Sequence, residues 1–185
     1  MSLANWDIKP DIQQGDWTLF LDRDGVINRR IVDDYVKRWK DFEFLPGVLE
    51  SFPIFTKNFK HIFIVTNQQG VGKGLMSSEA VESVHRKMLS EIEAQSCKID
   101  AIYFCPSLAA DNSPRRKPNP GMAHQAKQEF PDIDLSKSIM VGDSPSDIEF
   151  GINAGMKTVF IGNRELNFPT NAQFQSLADF ANSLK

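Results

Sequence analysis

Short, uninterrupted apolar runs alternate along this chain with segments of helical spacing. The runs are Trp17 to Leu21, His61 to Val65, Ile102 to Phe104, Ile139 to Val141 and Val159 to Ile161, rich in β-branched and aromatic residues. Continuous runs of this length fit strands covered on both faces, as parallel sheets require. After Leu45-Pro46-Gly47, the residues Val48, Phe52 and Phe55 recur at helical spacing, with Pro53 as an internal irregularity. Val81, Val84, Met88 and Ile92 recur in the same way behind Ser77 or Ser78 as a cap. Asn119-Pro120 and Ser144-Pro145-Ser146-Asp147 each mark a helix start, and Ala172 to Leu184 is expected to form the last helix. Strand and helix in alternation predict an α/β fold, a central parallel sheet between two helical layers with right-handed crossovers. Ligands of such sheets bind at the C-terminal ends of the strands. Asp22, Thr66 and Asp143, which follow the apolar runs, are therefore expected to meet at one edge.

A chain of 185 residues with no linker or repeat fits one domain spanning residues 1–185. Its formal net charge of -3 gives no support to nucleic acid or a membrane surface as partner. No apolar run approaches the roughly 20 residues a membrane-spanning helix needs. Met1 to Asp16 is polar and has no basic flank followed by an apolar stretch, so it is not read as a signal peptide. Cys97 and Cys105 then fit two reduced thiols, and the expected location is the cytoplasm. His61, His85 and His124 form no ligand-spaced cluster, and His85 is expected to be a surface or partly buried packing residue. A monomer is expected.

Four short motifs carry chemistry. Asp22-Arg23-Asp24-Gly25 follows the first run. One carboxylate there can attack phosphorus to form an acyl-phosphate, and a second, two residues on, can protonate the leaving oxygen and then activate water. Joining carboxylate and phosphate calls for a hard cation with oxygen ligands, which points to Mg²⁺. An isolated Asp-x-Asp fits a solvated turn equally well. Thr66-Asn67-Gln68-Gln69-Gly70-Val71-Gly72-Lys73-Gly74 offers a hydroxyl and backbone N–H groups for phosphate oxygens. It is not a P-loop, which would need glycine at 67 and serine or threonine at 74, nor a dinucleotide loop, because Leu75 replaces the third glycine. In Arg115-Arg116-Lys117-Pro118 a lysine ahead of a helix can neutralise charge on a transferring phosphoryl group. In Gly142-Asp143-Ser144-Pro145-Ser146-Asp147, Asp143 can complete a metal site and Asp147 can serve the helix dipole or orient the lysine.

Together, Asp22-x-Asp24, Thr66, Lys117 and Asp143-x-x-x-Asp147 resemble the four motifs of the haloacid dehalogenase (HAD) superfamily of phosphohydrolases. The resemblance runs from about Trp17 to the C-terminus. The longer strings Asp-Arg-Asp-Gly-Val-Ile-Asn, Thr-Asn-Gln and Arg-Lys-Pro-Asn-Pro-Gly-Met are similar to the subgroup of heptose bisphosphate and histidinol phosphate phosphatases. The resemblance implies a three-layer Rossmann-like fold with no large cap domain. It implies Asp22 as nucleophile and metal ligand, and Asp24 as general acid/base whose backbone carbonyl also reaches the metal. Thr66 and the Asn67 amide would hold the phosphoryl group, with Gln68, Lys73 and Arg116 at the substrate. Lys117 would stabilise the transferring charge, and Asp143 would ligate Mg²⁺.

The chain departs from that pattern in two places. Members of the subgroup often hold a structural zinc with three cysteines and a histidine. Here only Cys105 remains, with Ser107, Ser113 and Arg115 at the other positions, so no zinc is expected. Lys73 stands where arginine is common in the heptose enzymes, which turns a bidentate contact into a point charge. Asn28 to Phe44, with Arg29, Arg30, Lys37, Arg38 and Lys40, is the candidate substrate flap, and a solvated loop is the plain alternative. The implied substrate is a small phosphoester, a sugar bisphosphate before histidinol phosphate or a nucleotide. A catalytically silent phospholigand-binding domain is the competing class, because fold alone does not fix function.

Overall fold

The structure, a computed structural model, describes residues 11–12 and 16–185. Apart from Asp11, Ile12 and Asp16, the N-terminal segment read as lacking a signal peptide lies outside the described residues. Strands β1 (Thr18–Leu21), β2 (His61–Asn67), β3 (Ala101–Cys105), β4 (Ser138–Gly142), β5 (Lys157–Ile161) and β6 (Ala172–Phe174) form one sheet in the order β3-β2-β1-β4-β5-β6. All five pairings are parallel, with Leu19 opposite both Ile62 and Ile139. The helices are α1 (Val48–Asn58), α2 (Ser78–Glu93), α3 (Gly121–Glu129), α4 (Pro145–Asn153) and α5 (Leu177–Ser183). β1 sits at the point where the strand order reverses, which is where doubly wound sheets open a crevice for ligand.

Alternate residues of each strand enter opposite cores. Leu19, Leu21, Ile62, Ile64, Ile139 and Val141 pack with Phe52 and Phe55 of α1, Met88 and Ile92 of α2 and Phe180 of α5. Phe20, Phe63, Val65 and Met140 pack on the other face with Met122 and Ala126 of α3 and Phe150 of α4. This is the three-layer arrangement the alternation of runs predicts. Full burial of side chains such as Phe52, Phe55 and Leu19 contributes about 1.5–3 kcal/mol each. α1 accommodates Pro53 in its interior, and Ser51 Oγ donates to the Gly47 carbonyl at 2.6 Å.

One helix expectation needs correction. Ala172 to Leu184 is not one helix. Ala172–Phe174 pairs with β5 as the edge strand, and α5 begins only after Ser176, whose Oγ accepts from Asp179 N at 3.1 Å. Gln173 turns its amide to the carbonyls of Gly162 and Arg164, which ties the segment to the sheet edge instead of a helix. α3 starts at Gly121 with Pro120 at its N-cap, where Asn119-Pro120 marks a helix start, and Asn119 donates to the Ser113 carbonyl at 2.9 Å. Ser77 is the cap of α2. Among the described residues, no helix is long and apolar enough to cross a membrane.

Candidate active site

Asp22 leaves β1 where the backbone still follows the sheet, its N–H donating to the Val141 carbonyl at 2.9 Å. From the tip of β1 its carboxylate meets the Lys117 ammonium, with Nζ donating to Asp22 Oδ1 at 2.7 Å. The same Nζ pairs with Asp147 Oδ1 at 2.6 Å and donates to the Val65 carbonyl at 2.8 Å. Three acceptors match the three N–H bonds of an ammonium, so this buried lysine is fully satisfied. Burial works against the Lys117 charge, but Asp147 and Asp22 outweigh it and raise its pKa. Asp147 reaches Lys117 from the first turn of α4. Its other oxygen, Oδ2, accepts from Ser144 N at 3.0 Å and from Ser144 Oγ at 2.6 Å. Asn67 clasps the Lys117 backbone from the neighbouring strand, donating to its carbonyl at 3.0 Å and accepting its N–H at 3.1 Å.

Asp143 follows β4, and oxygens of Asp22, Asp143 and Asp147 lie within 4.8 Å of one another. Burial, with Asp147 close by and Lys117 opposing, pushes Asp22 up to about 7. Burial also carries Asp143 up to about 6, against the pull of Arg30. Gly25 has φ +97, and a Cβ there would stand 2.0 Å from Asp143 Oδ2, so this glycine lets the β1 loop pass beside that carboxylate.

The donor set fits Mg²⁺. It consists of hard oxygens, and Arg30 Nη2 bridges Asp143 Oδ1 at 2.7 Å and the Asp24 backbone carbonyl at 3.0 Å. A positive charge is thus stabilised between two of the oxygens assigned to the metal.

Asp24 is surrounded by donors. Arg23 Nη2 donates to both of its oxygens at 2.9 and 2.8 Å, Asn28 Nδ2 to Oδ1 at 2.9 Å and Gln68 Nε2 to Oδ2 at 2.8 Å. Burial would raise the Asp24 pKa, but Arg23, Asn28 and Gln68 together hold it below the usual carboxylate range. Arg23 itself is 0 % exposed, the largest fully buried side chain. Its Nη1 lies 3.0 Å from His85 Nε2 on α2.

The structure corrects one sequence expectation, that for His85, and gives Gln68 and Arg116 partners within the protein. Gln68, expected at the substrate, is buried and donates to Asp24 and, at 2.9 Å, to Thr66 Oγ1. Arg116, also expected there, turns to the Ser107 carbonyl at 3.1 Å and Gln69 Oε1 at 3.4 Å. His85 is buried, not at the surface, and the middle residue of Asp22-x-Asp24 is a structural participant. His85 lies four residues after Val81 on the buried stripe of α2, a spacing that marks it as inward-facing.

The cleft holds a cavity of about 410 Å³ lined by Asp22, Asp24, Thr66, Asn67, Lys73 and Lys117, and on the flap side by Arg30 and Tyr35. Asn28 pairs with Phe44 at the base of the flap, and Tyr35 packs over Gly70, where a Cβ would meet its ring at 2.9 Å. Lys73 Nζ lies 5.5 Å above that ring. Of the flap's basic residues Arg29, Lys37 and Arg38 pair with Glu43, Asp34 and Asp41, while Arg30 reaches the cleft. Hydrogen bonds hold the loop that follows Cys105. Ser113 accepts at its carbonyl from Arg116 N (3.0 Å) and Asn119, and at Oγ from Arg115 N (3.3 Å). Cys105 Sγ donates to the same Oγ at 3.8 Å.

A family model described as HAD-hydrolase-like matches residues 114–165, from Lys117 to beyond Asp147. A D-glycero-alpha-D-manno-heptose-1,7-bisphosphate 7-phosphatase of Mycobacterium bovis is 40% identical over 170 residues, covering 89% of this chain and 90% of its own. The chain belongs to the HAD phosphatase family. A Campylobacter jejuni phosphatase of the same description is likewise 40% identical, over 90% of this chain and 95% of its own. Among solved HAD structures, the D,D-heptose 1,7-bisphosphate phosphatase of B. bronchiseptica, complexed with magnesium and phosphate, superposes with a TM-score of 0.81. It is 29% identical and covers 91% of this chain and 97% of that one. As a HAD phosphatase, the protein hydrolyses phosphoesters.

Proposed function

We propose that the protein removes the 7-phosphate of D-glycero-D-manno-heptose 1,7-bisphosphate through an aspartyl-phosphate on Asp22. The observation that carries this reading is the buried Lys117 ammonium held between Asp22 and Asp147 at the tip of β1, beside Asp143. Asp22 attacks phosphorus, forming the acyl-phosphate bond while the bond to the leaving oxygen breaks. Asp24, a carboxylate while its donors surround it, takes up a proton once substrate displaces one of them and gives that proton to the leaving oxygen. Water then attacks the same phosphorus, Asp24 takes its proton, and inorganic phosphate leaves as Asp22 is regenerated. Lys117 and Thr66 stabilise charge on the phosphoryl oxygens. Asp22, Asp143 and the Asp24 carbonyl would hold Mg²⁺, which when bound offsets repulsion between carboxylate and phosphate.

The substrate reading rests on the relatives' names and on the cleft. Lys73 and Arg30 bring positive charge to its walls, suited to a second phosphate, and Asp33 and Asp34 can accept from sugar hydroxyls. Phosphate release would be measured on the heptose bisphosphate in both anomers, histidinol phosphate and several nucleotides, with and without Mg²⁺. A Mg²⁺-dependent preference for the heptose supports the assignment, and a preference for another member replaces the substrate. Asp22→Asn should abolish turnover with the circular dichroism spectrum unchanged, whereas near wild-type turnover would remove Asp22 as the nucleophile.

A further inference from the structure

We propose that His85 is a positioning residue that acts through Arg23 to fix the Asp24 carboxylate for proton transfer. The inference rests on Asp24 as the general acid/base.

A fully buried arginine is uncommon, because a desolvated guanidinium is costly unless paired. Among the described residues Arg23 has one ionic partner, Asp24, reached through Nη2 alone. A guanidinium held at a single nitrogen can pivot about that contact. His85 removes the freedom. Its Nε2 stands 3.0 Å from Nη1, the other arm of the fork. Arg23 can only donate, so Nε2 accepts and the imidazole is neutral with its proton on Nδ1. Burial first, and Arg23 second, push the His85 pKa down to about 3, in keeping with that state. The ring is held edge-on against Phe104, with centroids 5.8 Å apart.

The donors around Asp24 are arranged for that carboxylate at their own expense. Arg23 Nε, Asn28 Oδ1 and Gln68 Oε1 are buried without a partner among the described residues, and all three belong to residues that donate to Asp24. Leaving such atoms unpaired is unfavourable, so packing stability alone does not account for the arrangement. The four contacts from these three residues also fill the roughly four acceptor positions of a carboxylate. Proton transfer to substrate needs one of these vacated. All these bonds go to a carboxylate, but only Arg23 is itself charged, so a neutral amide of Asn28 or Gln68 yields before the Arg23 ion pair does. Arg23 is then the contact that orients Asp24 during the reaction, and His85 orients Arg23.

The test exploits leaving-group chemistry. kcat/KM reports the step in which the leaving oxygen departs. A sugar alkoxide needs Asp24's proton, whereas 4-nitrophenolate leaves without one. His85→Leu should lower kcat/KM for a sugar phosphate by about 10-fold or more, a fraction of what general acid catalysis contributes. 4-Nitrophenyl phosphate should lose less than about 3-fold, since its departure does not draw on that term. His85→Gln, whose Oε1 can accept from Nη1, should restore most of the difference. If His85→Leu fails to fold, His85→Asn replaces it, its amide too short to reach Arg23. Equal losses on both substrates, or none, in the folded variant would overturn the proposal. Asp24→Asn run in parallel separates the two readings. If it shows no leaving-group dependence, the acid/base assignment falls. If it does and the His85 variants do not, only the role of His85 falls.

Discussion

At the scale of single residues, a buried neutral histidine has a consequence for pH. The folded His85 pKa, about 3, lies below its ordinary value of 6.5. Between these values the unfolded chain binds a proton that the folded chain does not, so stability rises with pH across the window. It is fully present above about 6.5 and is lost as pH falls toward 3. His85→Gln has no such proton to bind. Urea denaturation followed from pH 7 to pH 4 should show a shallower decline for His85→Gln than for the wild type, and parallel curves would mean that His85 is protonated in the fold. The residues of the proposed chemistry were legible because that chemistry is tied to local strings, Asp22-x-Asp24 and Gly142-Asp143 among them. Arg23 and His85 were not, because their contact spans 62 residues and joins two positions that no single motif contains. The partners of Gln68 and Arg116 were not legible either, since packing turns the one to Asp24 and the other to the Ser107 carbonyl.

At the scale of elements, α4 is the joint between fold and site. Asp147 holds its N-terminus through Ser144 and at the same time binds Lys117, which arrives from a different connection. Gly142 allows this approach, since a Cβ there would lie 2.1 Å from the Asp147 Cβ. Asp147→Ala would strip a buried ammonium of one partner and the helix of its first-turn acceptor. Removing one member of a buried pair costs about 3–5 kcal/mol, so the urea midpoint should fall well below wild type. A midpoint close to wild type would show that Asp22 and the Val65 carbonyl suffice for Lys117. The elements themselves were mostly readable, because five strands are apolar runs and α2 has a regular stripe with Ser77 as its cap. The sixth strand was not. Ala172–Phe174 has three residues, too few to display alternation, and its parallel pairing with β5 is a tertiary fact. Ser176, which ends that strand segment and caps α5, was the signal that could have divided it from the helix.

At the scale of the whole molecule, periodicity identified strands and helices but not their neighbours. The order β3-β2-β1-β4-β5-β6 is what makes β1 central and gathers the ends of β1, β2 and β4 into one cleft. Those ends carry Asp22, Thr66 and Asp143, so acidic groups crowd at one edge of the sheet, and Lys117 and Arg30 offset only part of their repulsion. A ligand that binds only the folded chain stabilises it, by about 2.7 kcal/mol at a concentration 100 times its Kd. For a chain of this size each kcal/mol moves Tm by roughly 2–4 °C. Saturating Mg²⁺ should therefore raise Tm by about 5–10 °C. Asp143→Asn should abolish most of that rise, and an unchanged rise would place the ion elsewhere. The loop from Cys105 to Gly121 gives the opposite expectation. Its anchor is the hydrogen bonding of Ser113 with Arg115, Arg116 and Asn119, together with the Gly121 N–H on the Pro114 carbonyl at 2.9 Å. A zinc-selective chelator should leave Tm where it is. A fall in Tm, with stoichiometric zinc recovered from the protein, would show that Cys105 has metal-binding partners beyond the residues that now hold the loop.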